Sequence, residues 1–410
     1  MDFDFPGDDD PRRTPVREWL AANPRPTGRQ MAEAGWVVPH WPAPFGRDAD
    51  PMTQLLIDEE FKRAGVARPT NPIGTGWAAP TIFLAGNDEQ RERFLMPCIA
   101  GEEIWCQLFS EPDAGSDLAS LSTRAVRDGD EYVVNGSKIW SSGAHHSKYG
   151  ILIARTDPDA PKHKGISYFI CPMDLPGITM SPIIDMTTAH SFNQVFFDDV
   201  RIPASLLVGE ENDGWRLAKM TLANERVSLS SGGALWGHGP NTDHLMDVLR
   251  AGGGVSDPVL RQEAARVYSR GRILHMIQMR ALSARLKGAT PGPEASIQKL
   301  VADEHGQDIM ALAKAVAGTS GVLEGSGPLG RIEDPSGRSS RQQNLDRLAD
   351  VDPVWHYGWL YSPALTVGGG TFAVQRNIVA EHVLGLPREP NVEKGLTWAE
   401  AQKARGGAPS

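Results

Sequence analysis

The chain has 410 residues and a formal net charge of -10, from 41 Lys and Arg against 51 Asp and Glu. Its hydrophobic and charged fractions, 40% and 22%, are ordinary for a globular protein, so we expect two to three folded domains rather than a disordered chain. The acidic balance excludes a dedicated nucleic-acid binder, which needs a basic face to neutralise phosphates.

The three cysteines, Cys98, Cys106 and Cys171, have spacings that suit neither a disulfide framework nor a zinc site, so no metal site is expected. The first residues lack the basic and apolar regions of a signal peptide. No stretch approaches the roughly 18 consecutive apolar residues of a membrane span. The sequence therefore predicts a soluble, cytoplasmic protein.

Residues 1–105 follow helical patterns joined by proline-rich loops. Residues 15–22 form an amphipathic pattern, and residues 51–65 place apolar side chains at helical spacing. Asn87 is a typical N-cap for a further helix, which Gly101 ends. These patterns predict an N-terminal α-helical domain.

Residues 106–212 alternate short β-prone runs with turn signals. The run 131–134 leads into Asn135-Gly136, the strongest two-residue hairpin signal, and then into 138–140. Later strands are predicted at residues 149–154, 166–171, 178–184 and 194–202. This spacing predicts a central antiparallel β-domain, as a small sandwich or barrel.

Residues 213–390 return to helical spacing. Helices are predicted from Gly214 to about Gly232, from an Asp257-Pro258 start to about Leu286, from 294 to 317 and from about 372 to 384. Residues 325–351 look loop-like, and residues 391–410 are predicted to be a mobile tail. The fold class is therefore α+β, with a β-domain between an N-terminal helical domain and a C-terminal helical bundle.

Two generic motifs carry no function. Residues 325–330 satisfy the G-x-G-x-x-G pattern, but no strand precedes them and Pro328 would disturb the helix start of a dinucleotide site. His145 and His146 are adjacent, which is a poor spacing for chelation.

The informative stretch is residues 105–117, which reads WCQLFSEPDAGSD. On its own it indicates only a strand that ends in a polar turn. It resembles the acyl-CoA dehydrogenase signature, in which a strand runs into [TS]-E-P-x-A-G-S-D. Residues 128–140, residues 194–203, and the C-terminal runs 370–371, 375–378 and 384–388 resemble further motifs of that family, in the family's order.

The resemblance implies the family's three-domain fold and an FAD-dependent α,β-dehydrogenation of an acyl-CoA thioester. In the family a carboxylate removes the α-proton while the β-hydrogen leaves as hydride to flavin N5. The thioester carbonyl is polarised by a ribityl hydroxyl and a backbone N–H. The electrons then pass to an electron-transfer flavoprotein.

The same resemblance assigns site residues. Leu108, Ser110, Trp140 and Ser142 are expected to contact the flavin, as are Thr371 and Gln375. Ser116 is expected to contact the CoA moiety of the substrate. The alternative reading of Trp140 is a core aromatic residue that follows a hairpin.

The catalytic base departs from the commonest family pattern. Many members place a Glu directly before the Gly-Thr motif, but here that position is Gly369. Glu225, in the run Asn224-Glu225-Arg226-Val227, matches the position used by members whose base lies in the first helix after the β-domain. Two alternatives stay open: Glu225 is an ordinary solvated residue, or the chain is a non-catalytic partner subunit.

Other departures fall where family members contact the FAD of a neighbouring subunit. Arg280 or Arg285 could replace the usual pyrophosphate-binding arginine, and Ala373 stands where relatives carry Glu or Gln. The same departures resemble actinobacterial subunits that act on steroid side-chain CoA thioesters. A homo- or hetero-oligomer, a dimer or tetramer including an α2β2 form, is therefore expected; an acyl-CoA oxidase is a further alternative.

Overall fold

The computed structural model describes residues 6–229, 240–251, 253–286, 292–318 and 353–406, without the side chains of 225–229, 251, 285–286 and 353–354. The chain forms two compact units. The first contains Met1–Asp185, His190–Ala223 and Pro390–Ser410, and the second contains Met186–Ala189 and Asn224–Glu389.

The first unit begins with helices whose starts are fixed by capping. Asp50 accepts from the amides of Met52 and Thr53 ahead of Pro51, and Asn87 forms a reciprocal capping box with Gln90. These observations confirm the predicted N-terminal helical region. The helices are Thr14–Ala22, Gly28–Glu33, Pro51–Ala64, Ala79–Ala85 and Asp88–Ile99.

A seven-stranded sheet follows in the same unit. Its strands are β1 Trp105–Leu108, β2 Arg124–Asp128, β3 Glu131–Lys138, β4 Tyr149–Arg155, β5 Ile166–Pro172, β6 Ile178–Ile184 and β7 His190–Pro203. The main path of the sheet runs β1-β4-β2-β3-β7-β6, and β5 pairs with β4 off this path. The sheet is mixed rather than purely antiparallel, because β1 lies parallel to β4.

The prediction of a hairpin turn at Asn135-Gly136 is wrong. Strand β3 runs straight through these residues, and the register against β7 shifts between Val134 and Gly136, as in a β-bulge. Gly136 has a φ of 145°, and a Cβ there would lie 2.7 Å from Thr123 Cα. The glycine therefore serves close backbone approach, while the chain reverses between Asp128 and Glu131 through Gly129.

The second unit is helical, as predicted. Asp257 caps the helix that starts at Pro258, and Gly318 ends the helix that starts at Ala295. The predicted helix end near Gly232 and the loop 325–351 lie outside the described residues. The helices are Gly214–Leu229, Thr242–Ala251, Pro258–Leu286, Ala295–Ala317, Pro353–Tyr361 and Phe372–Ile378. The first residues of Gly214–Leu229 belong to the first unit, and Phe372–Ile378 continues as a π-helical turn, Val379–Val383.

The last segment differs from the predicted mobile tail. Residues 390–406 belong to the first unit and contain the helix Trp398–Ala404, which Thr397 and Glu400 start with a capping box. Ion pairs and backbone hydrogen bonds hold this segment on the β-sheet side of that unit. Composition alone does not reveal such contacts.

The sheet's core is apolar and includes two of the cysteines. Cys106 and Cys171 lie in one cluster with Leu152 and Phe169, and Cys98 is buried in the N-terminal helices. Burial raises the pKa of all three thiols, that of Cys106 to about 12. Across the described helices, none is both long enough and apolar enough to cross a membrane.

Candidate active site

The first part of the site is the end of strand β1. Leu108 is fully buried, and its side chain belongs to the sheet's core. The carbonyl of Ser110 accepts a hydrogen bond from Ile139 N at 2.8 Å. This bond joins the strand end directly to the residue that precedes Trp140.

A buried ion pair also joins these two segments. Lys138 is fully buried, and its ammonium lies 2.7 Å from Glu111 Oε1 and 3.0 Å from the carbonyl of Phe109. Glu111 also accepts from Ser122 N, Ser122 Oγ and Thr123 N. Burial would raise the pKa of Glu111, but Lys138 and these donors lower it to about 2.

Trp140 lies on the protein surface, directly after Ile139. Its backbone has a φ of 60°, in the left-handed region that non-glycine residues seldom adopt, and 56% of the residue is exposed. Phe192 contacts the edge of the indole, with ring centroids 5.8 Å apart. The indole therefore presents a large open aromatic surface and is not a core residue.

A buried amide fixes the turn that follows Trp140. Asn193 and Ser141 exchange backbone hydrogen bonds at 3.0 and 3.2 Å, and Asn193 Nδ2 also contacts the Ser141 carbonyl. The other Asn193 contacts are His145 Nδ1 at 2.9 Å and His190 Nε2 at 2.8 Å, and the two imidazole rings stack. Ser142, half-buried, lies on this fixed turn.

The predicted substrate-binding residue lies on the loop that follows the signature strand. Ser116 is exposed, and its neighbour Asp117 is held by Lys162, Arg405 and the hydroxyl of Ser120. Burial would raise the pKa of Asp117, but these partners lower it to about 2. The loop therefore carries a fixed carboxylate beside the exposed serine.

In the second unit, two predicted site residues lie at the start of the helix Phe372–Ile378. Thr371 caps that helix by accepting from Val374 N. Gln375 is fully buried and donates from Nε2 to the carbonyls of Gly369 and Gly370 at 3.2 and 3.3 Å. Because Gly369 has a φ of 68°, this position favours glycine over the glutamate that many relatives carry.

The remaining predicted residues are only partly described. The backbone of Glu225 lies in the helix Gly214–Leu229, but its side chain lies outside the described residues. The side chain of Arg285 also lies outside them, whereas Arg280 is exposed on the helix Pro258–Leu286. The structure thus gathers Leu108, Ser110, Trp140 and Ser142 in the first unit, and Thr371 with Gln375 in the second.

Sequence reasoning missed Asn193 and the Glu111–Lys138 pair as supports of the site. Side chains along a β-strand alternate between its two faces, and Asn193, Val195 and Phe197 are all buried on the same face of β7. This alternation could have indicated Asn193. A polar residue on the inward face of a strand needs partners, and these are the site's turn and its histidines. Nothing in the local sequence pairs Glu111 with Lys138.

Two buried polar atoms at these turns receive no hydrogen bond from the described residues. They are Ser141 Oγ, beside the indole in the first unit, and Gln375 Oε1 in the second. A buried polar atom without a partner is costly unless a bound group satisfies it. In the first unit, an exposed indole beside Ser141 Oγ fits a planar heterocycle with a polar rim.

Three domain descriptions of one family match the chain in order. The acyl-CoA dehydrogenase N-terminal domain matches residues 11–102, the middle domain matches 106–200, and the C-terminal domain matches 212–384. Acyl-CoA dehydrogenase FadE34 of Mycobacterium tuberculosis (strain ATCC 25618 / H37Rv) is 41% identical over 364 residues, which cover 87% of this chain and 46% of FadE34. The chain therefore spans about half the length of that relative.

Two solved structures are similar over nearly the whole chain. One is the Tcur3481-Tcur3483 steroid ACAD, where ACAD abbreviates acyl-CoA dehydrogenase. It matches with a TM-score of 0.72 at 30% identity, and the match covers 92% of this chain and 97% of the Tcur chain. The ChsE4-ChsE5 complex from Mycobacterium tuberculosis has a TM-score of 0.72 at 31% identity, with 95% and 100% covered.

Proposed function

Because the chain belongs to the acyl-CoA dehydrogenase family, we propose that it introduces a double bond between the α and β carbons of an acyl-CoA thioester. Members of this family are FAD-dependent flavoproteins. The observation that carries the proposal is the exposed Trp140, held at positive φ beside the end of the signature strand. Strained, exposed aromatic residues of this kind are found at ligand sites rather than in cores.

The residues at the two turns fit a flavin. Leu108 and Ser110 would hold it through backbone and hydroxyl groups, Trp140 would pack against its ring, and Ser142 lies in the adjoining turn. The family resemblance also assigns Thr371 and Gln375, in the second unit, to flavin contacts, and Gln375 Oε1 is an acceptor that receives no hydrogen bond from the described residues. The bound flavin supplies an acceptor for the hydride that leaves the β-carbon.

Glu225 is the proposed base, and it removes the α-proton. Gly369 has no side chain to take a proton, and its left-handed backbone disfavours a glutamate. A carboxylate in this role must lose water when the substrate binds, which raises its pKa toward the working range of a general base. Glu225 lies on the helix that directly follows the β-domain.

The test of the base is anaerobic bleaching of the flavin by acyl-CoA. Glu225→Gln should still bind acyl-CoA, seen as a shift in the flavin spectrum, but bleach about 10²–10⁴ times more slowly than wild type. Glu210→Gln, an exposed glutamate just before the same helix, is the matched control and should bleach normally. Wild-type bleaching in Glu225→Gln would rule out Glu225 as the base.

The substrate class and the electron acceptor belong to the same proposal. A steroid side-chain acyl group is favoured, because one similar structure is a steroid ACAD. A panel of straight-chain, branched and steroid acyl-CoAs, compared by bleaching rate, tests this directly. The acceptor is proposed to be an electron-transfer flavoprotein; stoichiometric hydrogen peroxide would instead indicate an oxidase.

The alternative function is a non-catalytic or half-site subunit of a hetero-oligomer. The glycine at 369 and the similarity to a complex of two differently named chains favour it. Such a subunit would purify without FAD and acquire colour only when co-expressed with a related chain, as an α2β2 assembly. A coloured protein that bleaches on its own would exclude this alternative.

We also propose three domains with boundaries near residues 105 and 213, in a cytoplasmic protein. The gaps between the three family matches, at 103–105 and 201–211, support these boundaries. Limited proteolysis that cuts first within these gaps would test them.

A further inference from the structure

The C-terminal strap, defined here as residues 390–406, docks onto the β-sheet side of the first unit. Its helix Trp398–Ala404 begins with two backbone hydrogen bonds to the loop after strand β4. Trp398 N donates to Ala160 O at 2.9 Å and Ala399 N donates to Pro158 O at 3.1 Å. These bonds fix where the helix starts and therefore which face it turns toward the sheet.

That face meets the Ser116 loop, defined as residues 114–121. Trp398 Nε1 and Gln402 Nε2 both reach Ser120 O at 3.4 Å, and Arg405 Nη1 donates to Ser120 Oγ at 3.0 Å. Residues four and seven positions apart share one face of a helix, so the three side chains converge on one residue of the loop.

Four charged side chains close the contact beside Ser116. Arg405 and Lys162 both contact Asp117, each at 3.0 Å, and both also contact Glu393 of the strap. Two cations and two carboxylates balance, and Asp117 stays ionised because its pKa is held near 2. Isolated exposed pairs contribute little, but a network that shares partners fixes geometry.

Arg155 connects the strap to the loop a second time. It is buried, donates to the carbonyl of Ala119 at 2.6 Å, and its guanidinium lies 5.0 Å from the centre of the Trp398 ring. The loop is therefore held by Arg155 of strand β4 and by the strap together.

We propose that the strap is part of the acyl-CoA site, with Trp398 and Arg405 acting as positioning residues through the Ser116 loop. The inference rests on the proposed function, which assigns Ser116 to the CoA moiety. A loop that is already ordered loses less entropy when it binds, so pre-ordering strengthens binding without touching the reacting carbons. The strap therefore affects KM for acyl-CoA and leaves kcat nearly unchanged.

The test compares Trp398→Ala and Arg405→Ala with Lys403→Ala in the full-length holoprotein. Lys403 is exposed on the same helix and is the matched control. Amide hydrogen exchange of residues 114–121 should speed up about tenfold in Trp398→Ala and a few-fold in Arg405→Ala. KM for acyl-CoA should rise about three- to tenfold, with kcat within about twofold.

Each contrary result has its own meaning. Unchanged exchange in both variants would show that the strap does not hold the loop. Faster exchange with an unchanged KM would show that the loop is held but is no part of the substrate site. Wild-type protein that neither binds nor oxidises any acyl-CoA would contradict the proposed function itself, before any strap variant is made. If Trp398→Ala fails to fold, Arg405→Ala, whose side chain is 44% exposed, decides alone.

Discussion

Each of the two units contains the same kind of buried ion pair near predicted site residues, and the two pairs differ in their surroundings. In each, a fully buried lysine bridges a carboxylate and a backbone carbonyl. Lys138 joins Glu111 to the carbonyl of Phe109, and Lys299 joins Asp303 to the carbonyl of Leu365 at 3.1 Å. Each carbonyl lies a few residues before a turn that carries predicted site residues.

The carboxylates differ in how many donors they receive. Glu111 accepts from Lys138 and from three groups of Ser122 and Thr123, whereas the hydrogen bond found for Asp303 comes from Lys299 at 2.5 Å. Burial raises the pKa of Asp303 to about 6, while Glu111, also buried, has a pKa of about 2. Glu111 is stabilised as the charged form by Lys138 and by the added donors of Ser122 and Thr123, whereas for Asp303 the effect of burial exceeds that of Lys299.

The largest expected effect is that of Lys138→Met. Removing the ammonium leaves a strongly ionised, buried carboxylate, which should lower the free energy of unfolding by about 3–5 kcal/mol. Urea unfolding measures this loss. Lys148→Met removes an exposed lysine that contacts Glu103 and should cost far less. Equal losses in the two variants would contradict the role given to the buried pair.

Lys299→Met should cost less, about 2–3 kcal/mol, because Asp303 takes up a proton more readily and only unsatisfied acceptors remain. Urea unfolding at pH 7 gives the value. The double variant Lys299→Met with Asp303→Leu should recover part of the loss, since it removes the buried carboxyl as well. A loss for Lys299→Met as large as for Lys138→Met would break the distinction between the two pairs.

The pH dependence of stability should also distinguish the pairs. The raised pKa of Asp303 contributes stability that is fully present below about pH 4 and is lost as the pH rises through about 6. Relative to Asp303→Asn, wild type should therefore lose about 2 kcal/mol of unfolding free energy between pH 4 and pH 6. The lowered pKa of Glu111 works in the opposite direction, and its contribution is lost as the pH falls below about 4.5 toward 2. A wild-type minus Asp303→Asn difference that does not change with pH would contradict the assignment.

The smallest effects concern the two buried amides. Gln375→Met removes the donors to Gly369 and Gly370 and should cost about 1 kcal/mol. Asn193→Leu should cost about 2 kcal/mol, because both ends of its amide are hydrogen-bonded in the turn after Trp140. Thermal unfolding compares the two. A larger loss for Gln375→Met than for Asn193→Leu would show that Gln375 stabilises the fold fully, although its Oε1 accepts no hydrogen bond from the described residues.

Local signals predicted the fold well where capping and apolar spacing act within one segment. Asn87 and the Asp257-Pro258 start each fix a helix by contacts within four residues, which a sequence displays directly. The Asn135-Gly136 signal failed because Thr123, just before strand β2, lies so close that only glycine fits at position 136. The parallel pairing of β1 with β4 is similarly non-local.

The site was predicted from motifs, and the structure adds what supports them. Ser110 and Trp140 were found by resemblance, and one hydrogen bond between Ile139 N and Ser110 O joins their segments. Glu111 pairs with a lysine 27 residues away, and Ser120 meets Arg405 across 285 residues. Such contacts follow from tertiary packing, so no window of sequence reveals them.

The buried cysteines have a consequence if the protein acts on acyl-CoA thioesters as proposed. A thiol exchanges acyl groups with a thioester only as the thiolate, and its rate depends on the thiolate fraction and on access. Cys98, Cys106 and Cys171 are the chain's only thiols; all are buried and their pKa values are raised. Burial and the raised pKa values therefore protect these three thiols from acyl transfer by a thioester in solution.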